Sequence, residues 1–420
     1  MRDSSSTLVP TTDLTGRCFL SYRRSRLKRI GRLAHCLREH GVPTWQDIDN
    51  LGSEPTIEAL GAALDDPSTA AGLLLLSKDV AKSPVILQEE APRILRRARL
   101  RDGFRGHLVL SNGVGYGDVK SILDLPGMLE DPSKSWNIIK PPAGCSLEQF
   151  ALHVTERVLL DRLGDLHTRL TPQDPLRIRF YAHAQAKSAF EPGFALVLDW
   201  VDRYRHRHAP PSVWNDHLVP TLERVKDAMR SRCPGRRVVA DGHMTIATGL
   251  LLGRAFVETT GIGLSWVQLP SRAVWSLDAS PEDSAMVAQI DSLDPHGTDL
   301  AVLVSVRGNV ETAVKATAGL PKFRALLRIA VADGSGTVDL STPGRAVHAA
   351  RLIGDQLRRA RQMYPVAQRI HLFMSGPAGL AMMVGQQLNA VGPVHTYEHN
   401  QTAGGVGFYD AAAVLGDPVA

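Results

Sequence analysis

Glycine-containing turns that follow apolar segments are the places where this sequence is best equipped to bind a ligand. One turn follows the predicted strand 237–241 and another follows the predicted strand 370–374, and each leads into a helix rich in small residues. Backbone N–H groups at the start of such a helix can bind a phosphate group. We therefore predict phosphate contacts at these turns. The turn residues are Gly242, His243, Ser375, Gly376 and Pro377.

The two turns belong to copies of one pattern: strand, glycine turn, small-residue helix, strand. The first copy spans residues 237–267 and the second spans residues 369–397. An internal repeat of this kind indicates a repeated structural unit, so we predict a duplicated nucleotide-binding unit with a site between its halves. Two alternatives stay open: any α/β domain yields such units by chance, and His243 could serve a purely structural role.

Other common chemistries lack their sequence motifs. The cysteines are far apart and form no C-x-x-C pair, so neither a disulfide framework nor a thiolate zinc site is expected. Neither H-E-x-x-H nor G-x-x-x-x-G-K-[ST] occurs, which argues against zinc proteolysis and P-loop nucleotide hydrolysis. We expect no metal and no bound cofactor. The cysteines are Cys18, Cys36, Cys145 and Cys233.

The composition is that of a globular protein that buries a core. Apolar residues make up 44% and charged residues 22% of the 420 residues, which excludes a wholly disordered, collagen-like or coiled-coil chain. Net charge is +5, and arginine far outnumbers lysine; this slightly favours an anionic partner, although solvated helix faces explain it equally well. Apolar runs such as 70–76 are too short to span a membrane, and we expect a cytoplasmic protein.

Short apolar strands alternate with amphipathic helices along the chain, which predicts an α/β fold with parallel sheets. A seam is expected at 171–175, where prolines interrupt the periodicity. Before the seam, strands are predicted at 18–22, 42–45, 70–76, 107–110 and 136–139, with helices at 25–40, 55–64, 84–100 and 147–163. After it, strands are predicted at 176–181, 194–200, 237–241, 263–269, 299–306, 325–331, 370–374 and 394–398.

About 150 residues before the seam resemble the TIR domain family. The resemblance rests on Phe19 to Arg23, on the loop that starts at Trp45-Gln46-Asp47, on the strand Leu73 to Leu76, and on Ser83 followed six residues later by Glu89. It implies a five-stranded flavodoxin-like sheet. It also implies one of two functions: self-association as a signalling adaptor, or cleavage of the nicotinamide–ribose bond of NAD by a glutamate.

The cleavage chemistry needs one carboxylate, because nicotinamide leaves NAD as a neutral molecule and requires no general acid. A carboxylate would stabilise the oxocarbenium charge or hold the ribose hydroxyls. The position that the resemblance implies is Glu89, but Val85 stands where the family commonly has a tryptophan and Glu90 lies beside the candidate. Adjacent helix positions point about 100° apart, so only one of the two carboxylates can face a pocket. The choice stays open, as does a structural role near a helix start.

By the same resemblance, further residues would line the NAD cleft at the carboxyl ends of the first strands, where open parallel sheets bind ligands. Core packing is an alternative for Tyr22 and Trp45. The implied NAD-binding residues are Ser21, Tyr22, Arg23, Trp45, Asp47 and Ser83.

The remaining chain looks like the SAVED domain family, which is built from two fused CARF-like units. This resemblance rests on the duplicated units, the turn Ser375 to Gly379 and a basic turn at Arg307-Gly308. It implies binding of a cyclic oligonucleotide, often a cyclic trinucleotide. Such a ring displays several phosphates, so converging N–H-rich turns and arginines suit it. We assign the turn residues named above, with Arg307 and Gly308, to this ligand.

A TIR domain followed by a SAVED domain is similar to effectors of bacterial antiviral signalling systems called CBASS. We therefore predict a disordered segment 1–15, a TIR domain at 16–165 and a SAVED domain at 166–420. The leading hypothesis is an NAD+ hydrolase that a cyclic oligonucleotide activates by driving assembly into oligomers or filaments, with neither a membrane nor DNA as a partner. The alternatives are a non-enzymatic adaptor and an activity like that of nucleoside 2-deoxyribosyltransferases.

Overall fold

The computed structural model of the chain describes residues 11–46, 56–111, 113–123, 136–182, 191–204, 208–257, 260–331 and 338–416. Asp47, a predicted ligand residue, lies outside these ranges, as does most of the predicted disordered segment 1–15. The described chain forms three sheets with helices packed against them. The predicted α/β class is confirmed.

The first sheet has five parallel strands in the order β2-β1-β3-β4-β5. This is the flavodoxin-like order that the N-terminal resemblance implies. Its central strand β3 is almost entirely apolar because both faces of the sheet are covered. The strands are β1 (Arg17–Ser21), β2 (Thr44–Trp45), β3 (Thr69–Leu76), β4 (Arg105–Leu110) and β5 (Asn137–Ile139).

Two pairs of helices cover the first sheet. Helices α1 and α5 share a core with Cys18 and Leu20 on one face, whereas α2 and α3 pack on the other face with Phe19 and Trp45. Alternate residues of β1 therefore serve opposite layers, as the two-residue period of a strand requires. The helices are α1 (Leu27–Glu39), α2 (Thr56–Asp65), α3 (Ala91–Leu100), the short α4 (Val119–Ile122) and α5 (Leu147–Arg169).

The second and third sheets repeat one topology. The second has the order β10-β9-β8-β6-β7, and the third has the order β11-β13-β12-β14-β15-β16. The second-sheet strands are β6 (Leu176–Tyr181), β7 (Leu196–Asp199), β8 (Val238–His243), β9 (Leu264–Gln268) and β10 (Ala273–Trp275). The third-sheet strands are β11 (Met286–Ser292), β12 (Asp299–Ser305), β13 (Phe323–Val331), β14 (Arg369–Ser375), β15 (Val394–Gln401) and β16 (Gly407–Leu415).

Strands β6 to β10 correspond in position and direction to β12 to β16. In each set the first four strands are parallel and the last is antiparallel to its neighbour. Strand β11 adds an antiparallel edge to the third sheet alone. The duplication predicted from the sequence is thus confirmed at the level of topology. We call the part built on the second sheet the first half, and the part built on the third sheet the second half.

Two glycine-rich helices, one from each half, pack directly against each other. A Cβ atom at Gly253 of α7 would lie 1.9 Å from the Met382 carbonyl oxygen, and one at Gly385 of α10 would lie 2.3 Å from the Leu250 carbonyl oxygen. Gly249 faces Ala378 one turn earlier, so the helices run in the same direction and start at the same end. The helices of this region are α6 (Val219–Arg232), α7 (Ile246–Ala255), α8 (Glu311–Ala316), α9 (Pro343–Met363) and α10 (Ala378–Gln386).

Helix α5 joins the first sheet to the first half. It packs against α1 on one side and α6 on the other, and one apolar core runs through all three elements. The buried Arg162 guanidinium donates to Thr15 O (2.6 Å) and Gly16 O (2.8 Å) beside the first sheet, and to Ala195 O (2.8 Å) before β7. Burial lowers the pKa of Arg162 to about 10, so the side chain stays charged at neutral pH.

The predicted seam at 171–175 is a short turn held by Arg236. The Arg236 guanidinium donates to the carbonyl oxygens of His167 (2.9 Å), Leu170 (2.8 Å) and Asp174 (3.1 Å). Arg236 therefore caps the C-terminal end of α5 and fixes the direction in which the chain enters β6. The parts before and after this turn consequently share a core across α5.

The structure adds elements that the sequence analysis did not predict. Strands β10, β11 and β16 were not expected, and all three are antiparallel additions at sheet edges. Strand β10 is only three residues long, and Gln289 and Asp291 interrupt the apolar residues of β11, so neither gives an apolar run of ordinary strand length. The predicted helix 84–100 begins with a π-helical turn at Ile86–Glu90 before it becomes α3.

Replacing Gly253 with alanine should destabilise the protein by about 3 kcal/mol, because the added methyl group must push α10 away from α7. Gly164→Ala in α5 is the matched control, since a Cβ there meets nothing within 4 Å. That control should stabilise the protein by up to about 1 kcal/mol. Urea unfolding of both variants measures the difference, and equal effects would contradict the close packing.

Replacing Arg162 with alanine should lower the free energy of unfolding by about 3 kcal/mol, because three buried carbonyl oxygens lose their charged donor. Arg230→Ala, an exposed position on α6, should change it by less than about 0.5 kcal/mol. Unfolding followed by both fluorescence and circular dichroism checks this. Two separate transitions in the wild type, of which Arg162→Ala affects only one, would contradict a shared core.

Candidate functional site

The carboxyl edge of the first sheet forms the first candidate site. Strand order reverses between β1 and β3, and open parallel sheets bind ligands in the crevice at such a reversal. The segments that leave β1, β2, β3 and β4 at this edge carry polar side chains that are nevertheless buried. The buried polar residues at this edge are Ser21, Gln46, Ser77, Ser83, Glu90 and Ser111.

A hydrogen-bonded carboxylate ties the loop after β1 to the loop after β3. Asp79 accepts hydrogen bonds from Ser25 Oγ (2.5 Å) and Ser77 Oγ (2.5 Å), and these bonds, helped by Arg26, hold its pKa at about 2. Ser21 at the end of β1 is 1% exposed, and its hydroxyl has no hydrogen-bond partner among the described residues. An unsatisfied buried hydroxyl is costly unless a ligand or water completes it. Ser21 Oγ is therefore a buried group at this edge that a polar ligand or a water molecule could satisfy.

The two candidate carboxylates have different surroundings. The Glu89 side chain is 34% exposed and lies 3.3 Å from Arg93 Nη2, whereas Glu90 is only 7% exposed. A π-helical turn contains one residue more than an α-helical turn, so it changes which side chain of the turn faces the sheet. π-Helical turns are also frequent at functional sites. The structure thus separates Glu89 from Glu90 and directs Glu90 inward.

The structure brings the other described NAD-binding candidates to the same edge. Ser21, Tyr22 and Arg23 end β1 or follow it, and buried Ser83 lies in the segment that leads from β3 to the π turn. Tyr22 is half-buried against the core. Trp45 is 6% exposed and stacks on Phe19 with ring centroids 4.7 Å apart, so most of its surface is used for packing.

A cavity of about 300 Å³ on the first half forms the second candidate site. It lies on the outer face of the second sheet, on the side away from α7, and it includes Gly242 and His243 from the sequence prediction. Gly242 has a φ of +120°, and a Cβ there would lie 2.2 Å from Phe180 O, so only glycine fits this turn. The lining residues are Arg177, Arg179, Tyr181, Asp241, Gly242, His243, Val267, Leu269 and Arg272.

Ion pairs and aromatic contacts fix the wall of this cavity. Arg179 donates to both carboxylate oxygens of Asp241 (2.6 and 2.8 Å) and also pairs with Glu191. Its guanidinium lies 4.0 Å from the centroid of the Phe194 ring. Tyr181 is stacked against His243, with centroids 6.2 Å apart. The aromatic rings and arginines therefore have set positions before any ligand binds.

The predicted turns of the second half lie together at the carboxyl edge of the third sheet. Ser375 Oγ donates to Arg307 O (2.7 Å), and the Arg307 N–H donates back to Ser375 Oγ (3.2 Å). Gly376 packs against Val306, and Pro377 is the N-cap residue of α10. The exposed Arg307 and Gly308 therefore adjoin the start of α10, which lies beside the start of α7.

Two corresponding side chains lie against the first turns of the paired helices. Glu398 of β15 accepts a hydrogen bond from the Ala247 N–H of α7 (3.2 Å), and Gln268 of β9 lies against Gly379 of α10. Each side chain thus contacts the helix of the other half. Burial raises the pKa of the Glu398 carboxyl to about 8, although hydrogen bonds from Thr245 and Ala247 partly oppose the rise. Glu398 is therefore mostly protonated at neutral pH.

Sequence analysis missed several cavity residues. Arg177, Arg179, Tyr181 and Arg272 were not selected, although the alternation Leu176-Arg177-Ile178-Arg179 indicates a strand with one charged face. Trp266 and Trp275 are both buried in the core, so neither offers an open surface for a base. In the described part of the chain, no group of three or more histidine, cysteine or acidic residues is arranged to hold a metal ion. The described helices include none that could cross a membrane.

The comparison with protein families identifies residues 221–414, which make up most of the chain after the seam. A family described as "SMODS-associated and fused to various effectors sensor domain", abbreviated SAVED, matches residues 221–414. Residues 221–414 form a SAVED domain. The match begins in α6 and ends in β16, so it includes the paired helices and both predicted glycine turns. No curated protein matches the chain.

Solved structures similar to this chain include receptors that contain SAVED/CARF domains. The Acinetobacter baumannii Cap4 SAVED/CARF-domain receptor with the cyclic trinucleotide 3′3′3′-cAAA has a TM-score of 0.49 at 15% identity. The same receptor in another structure has a TM-score of 0.45 at 14% identity, and the Moraxella osloensis Cap4 receptor has 0.42 at 18%. Each alignment covers 86% of this chain and 84% of the other chain.

Replacing Glu398 with glutamine should flatten the pH dependence of stability between about pH 4.5 and pH 8. The folded protein keeps the Glu398 proton up to about pH 8, whereas the unfolded chain releases it near 4.5. The free energy of unfolding therefore falls as pH rises through this window, and glutamine removes that loss. The variant should exceed wild type at pH 8 by at least about 1 kcal/mol in urea unfolding.

Glu311→Gln in the SAVED domain is the control with the opposite sign. Hydrogen bonds from Arg328 and Lys315 lower the pKa of Glu311 to about 2, so the charged form stabilises the fold above pH 4.5. That variant should lose stability at neutral pH, and the loss should shrink as pH falls toward 2. Identical pH profiles for wild type and Glu398→Gln would contradict a buried, protonated Glu398.

Proposed function

We propose that this protein is an NAD+ hydrolase that a cyclic oligonucleotide activates. Residues 16–165 are the effector, a TIR domain, and residues 166–420 are the sensor. The observation that carries the proposal is the SAVED domain itself, because its family is described as a sensor fused to various effectors. The first sheet, outside the matched residues, is then the effector, and its polar crevice is the substrate site.

The crevice suits cleavage of the nicotinamide–ribose bond. A neutral leaving group needs no acid, so a single carboxylate can stabilise the oxocarbenium charge that develops on the ribose. The resemblance to TIR domains implies this role for Glu89, and the buried position of Glu90 makes that residue its rival. The remaining substrate contacts are proposed for Ser21, Tyr22, Arg23, Trp45, Asp47 and Ser83.

The sensor would receive the ring at the end of the SAVED domain where α7 and α10 both begin. A cyclic trinucleotide is the favoured ligand because its phosphates can meet several turns at once. Parallel helix starts place partial positive charge at this end. The proposed contacts are Gly242, His243, Arg307, Gly308, Ser375, Gly376 and Pro377.

Activation would occur between copies of the protein. The core shared across α5 and the buried Arg162 contacts oppose a hinge between effector and sensor within one chain. A ring bound to the sensor would therefore act through assembly into oligomers or filaments, which brings neighbouring effectors together. Depletion of NAD+ in an infected cell would then serve antiviral defence by abortive infection.

Turnover of etheno-NAD by the full chain, alone and with a panel of cyclic di- and trinucleotides, tests the proposal. Fluorescence should rise with one ring of the panel and stay at background without it. Glu89→Gln should reduce the activated rate by at least about a hundredfold, while the exposed Glu58→Gln on α2 should leave it unchanged.

Glu90→Gln decides between the two carboxylates. Loss of turnover in this variant alone, with Glu89→Gln active and both variants folded by circular dichroism, would transfer the catalytic role to Glu90. If no ring elicits turnover but one drives assembly in light scattering, the protein is a nucleotide-gated adaptor. A rate that is constant across the panel would contradict gating by the sensor.

A further inference from the structure

The outer faces of the two halves of the sensor differ at corresponding positions. Strand β8 ends at His243 and β14 ends at Ser375, each two residues before an N-cap, so these two residues correspond. Asp241 then corresponds to Phe373. Strand pairing extends the match to the neighbouring strands, where Arg177 corresponds to Ala301, Arg179 to Leu303 and Tyr181 to Ser305.

The outer face of the third sheet is apolar and covered. Residues from β12, β13, β14, β15 and β16 form a hydrophobic cluster there, and Val310 and Ala313 at α8 close it. The cluster consists of Ala301, Leu303, Val310, Ala313, Leu326, Phe373, Tyr397 and Tyr409. This face therefore serves packing inside the second half.

The outer face of the second sheet is charged and open. Its buried apolar cluster consists of Tyr181, Phe194 and Val197, near the edge strand β7. In the positions that α8 covers on the third sheet, this face carries Arg177, Arg179 and Asp241 around a cavity of about 300 Å³. That volume is at the lower end of the range for small-molecule sites, enough for one unit of a larger ring.

Two of the three arginines that line the cavity have no acidic partner among the described residues. Arg179 is matched by Asp241 and Glu191, so it contributes to the wall. Arg177 is exposed and stacks over the Phe194 ring at 4.4 Å, and Arg272 is exposed in the β9–β10 turn. Neither Arg177 nor Arg272 has an ion pair with any residue that the structure describes.

Arg272 also has an unusual backbone conformation. Its φ is +57°, in the left-handed region that residues other than glycine seldom occupy. Residues in such conformations cluster where a side chain must be held at a ligand site. Arg272 also lines the cavity and is exposed, as is Arg177.

The third sheet also has a cavity, which differs from the cavity of the first half in size and charge. It measures about 140 Å³ and includes Leu303 and Ser305, the counterparts of Arg179 and Tyr181. Its one lining arginine, Arg328, is paired with both Glu311 and Asp291. Two carboxylates against one guanidinium leave no positive charge for a phosphate, and the cavity is smaller.

We propose that the open cavity of the first half binds one nucleotide unit of the activating ring, and that each chain has one such site. Arg177 and Arg272 bind the phosphate, and the exposed His243, backed by the buried ring of Tyr181, contacts the base. Arginine forks suit phosphate oxygens, and aromatic faces accept any base. The cyclic-oligonucleotide chemistry of the ligand rests on the proposed function, whereas the placement in one half rests on the charges and cavities described here.

Isothermal titration of the full chain with the panel of cyclic di- and trinucleotides tests the site. With the ring that binds wild type, Arg177→Gln and Arg272→Gln should each weaken binding by about tenfold or more, and the double variant should bind too weakly to measure. Arg369→Gln, an exposed arginine on β14, is the matched control and should bind like wild type. Stoichiometry should be one ring per chain.

The possible failures are distinguishable. If no ring in the panel binds wild type, the proposed function fails at the level of the sensor. If a ring binds wild type and both arginine variants equally, with the variants folded by circular dichroism, the ligand lies elsewhere and this inference is wrong. Two rings per chain would likewise contradict a single site, while leaving the sensor role intact.

Discussion

The contact between α7 and α10 is the constraint on which the sensor depends. Gly253 and Gly385 bring the two helix backbones together so closely that neither position has room for a Cβ atom. This contact sets the two helices parallel and places their first turns side by side. It also brings Glu398 of one half and Gln268 of the other against the partner helix. The duplicated halves consequently form one body in which both helices begin at the same end.

The same rigidity extends to the first sheet through α5. Arg162 donates to backbone oxygens on both sides of that helix, and Trp200 Nε1 of the first half donates to Glu39 O of α1 (3.0 Å). Val197 N also donates to Gly41 O (2.9 Å), so a backbone hydrogen bond joins β7 to the turn after α1. Contacts of this kind fix the position of the first sheet relative to the first half and provide no hinge between them.

Much of this architecture could be predicted from local pattern. Apolar runs gave the parallel strands of the first sheet, and repeated glycine turns gave the duplication, because both depend on the local period and on glycine chemistry. The π turn at Ile86–Glu90, in which Glu90 is buried and Glu89 is partly exposed, could not be predicted because a π-helical turn has no distinct periodic pattern in the sequence. The charged cavity was also missed, since it requires Arg177 on β6 and Arg272 on the β9–β10 turn to converge from distant parts of the chain.

The two halves of the duplicated fold differ on their outer faces. The outer face of the third sheet is covered by an apolar cluster that includes residues of α8, whereas that of the second sheet holds an open, charged cavity. In the second half, Phe373 and Leu303 made that face part of the core; in the first half, Asp241 and Arg179 keep it polar and preorganised. The two halves also differ beside the helix starts. Glu398 of the second half can become charged, whereas Gln268 of the first half cannot.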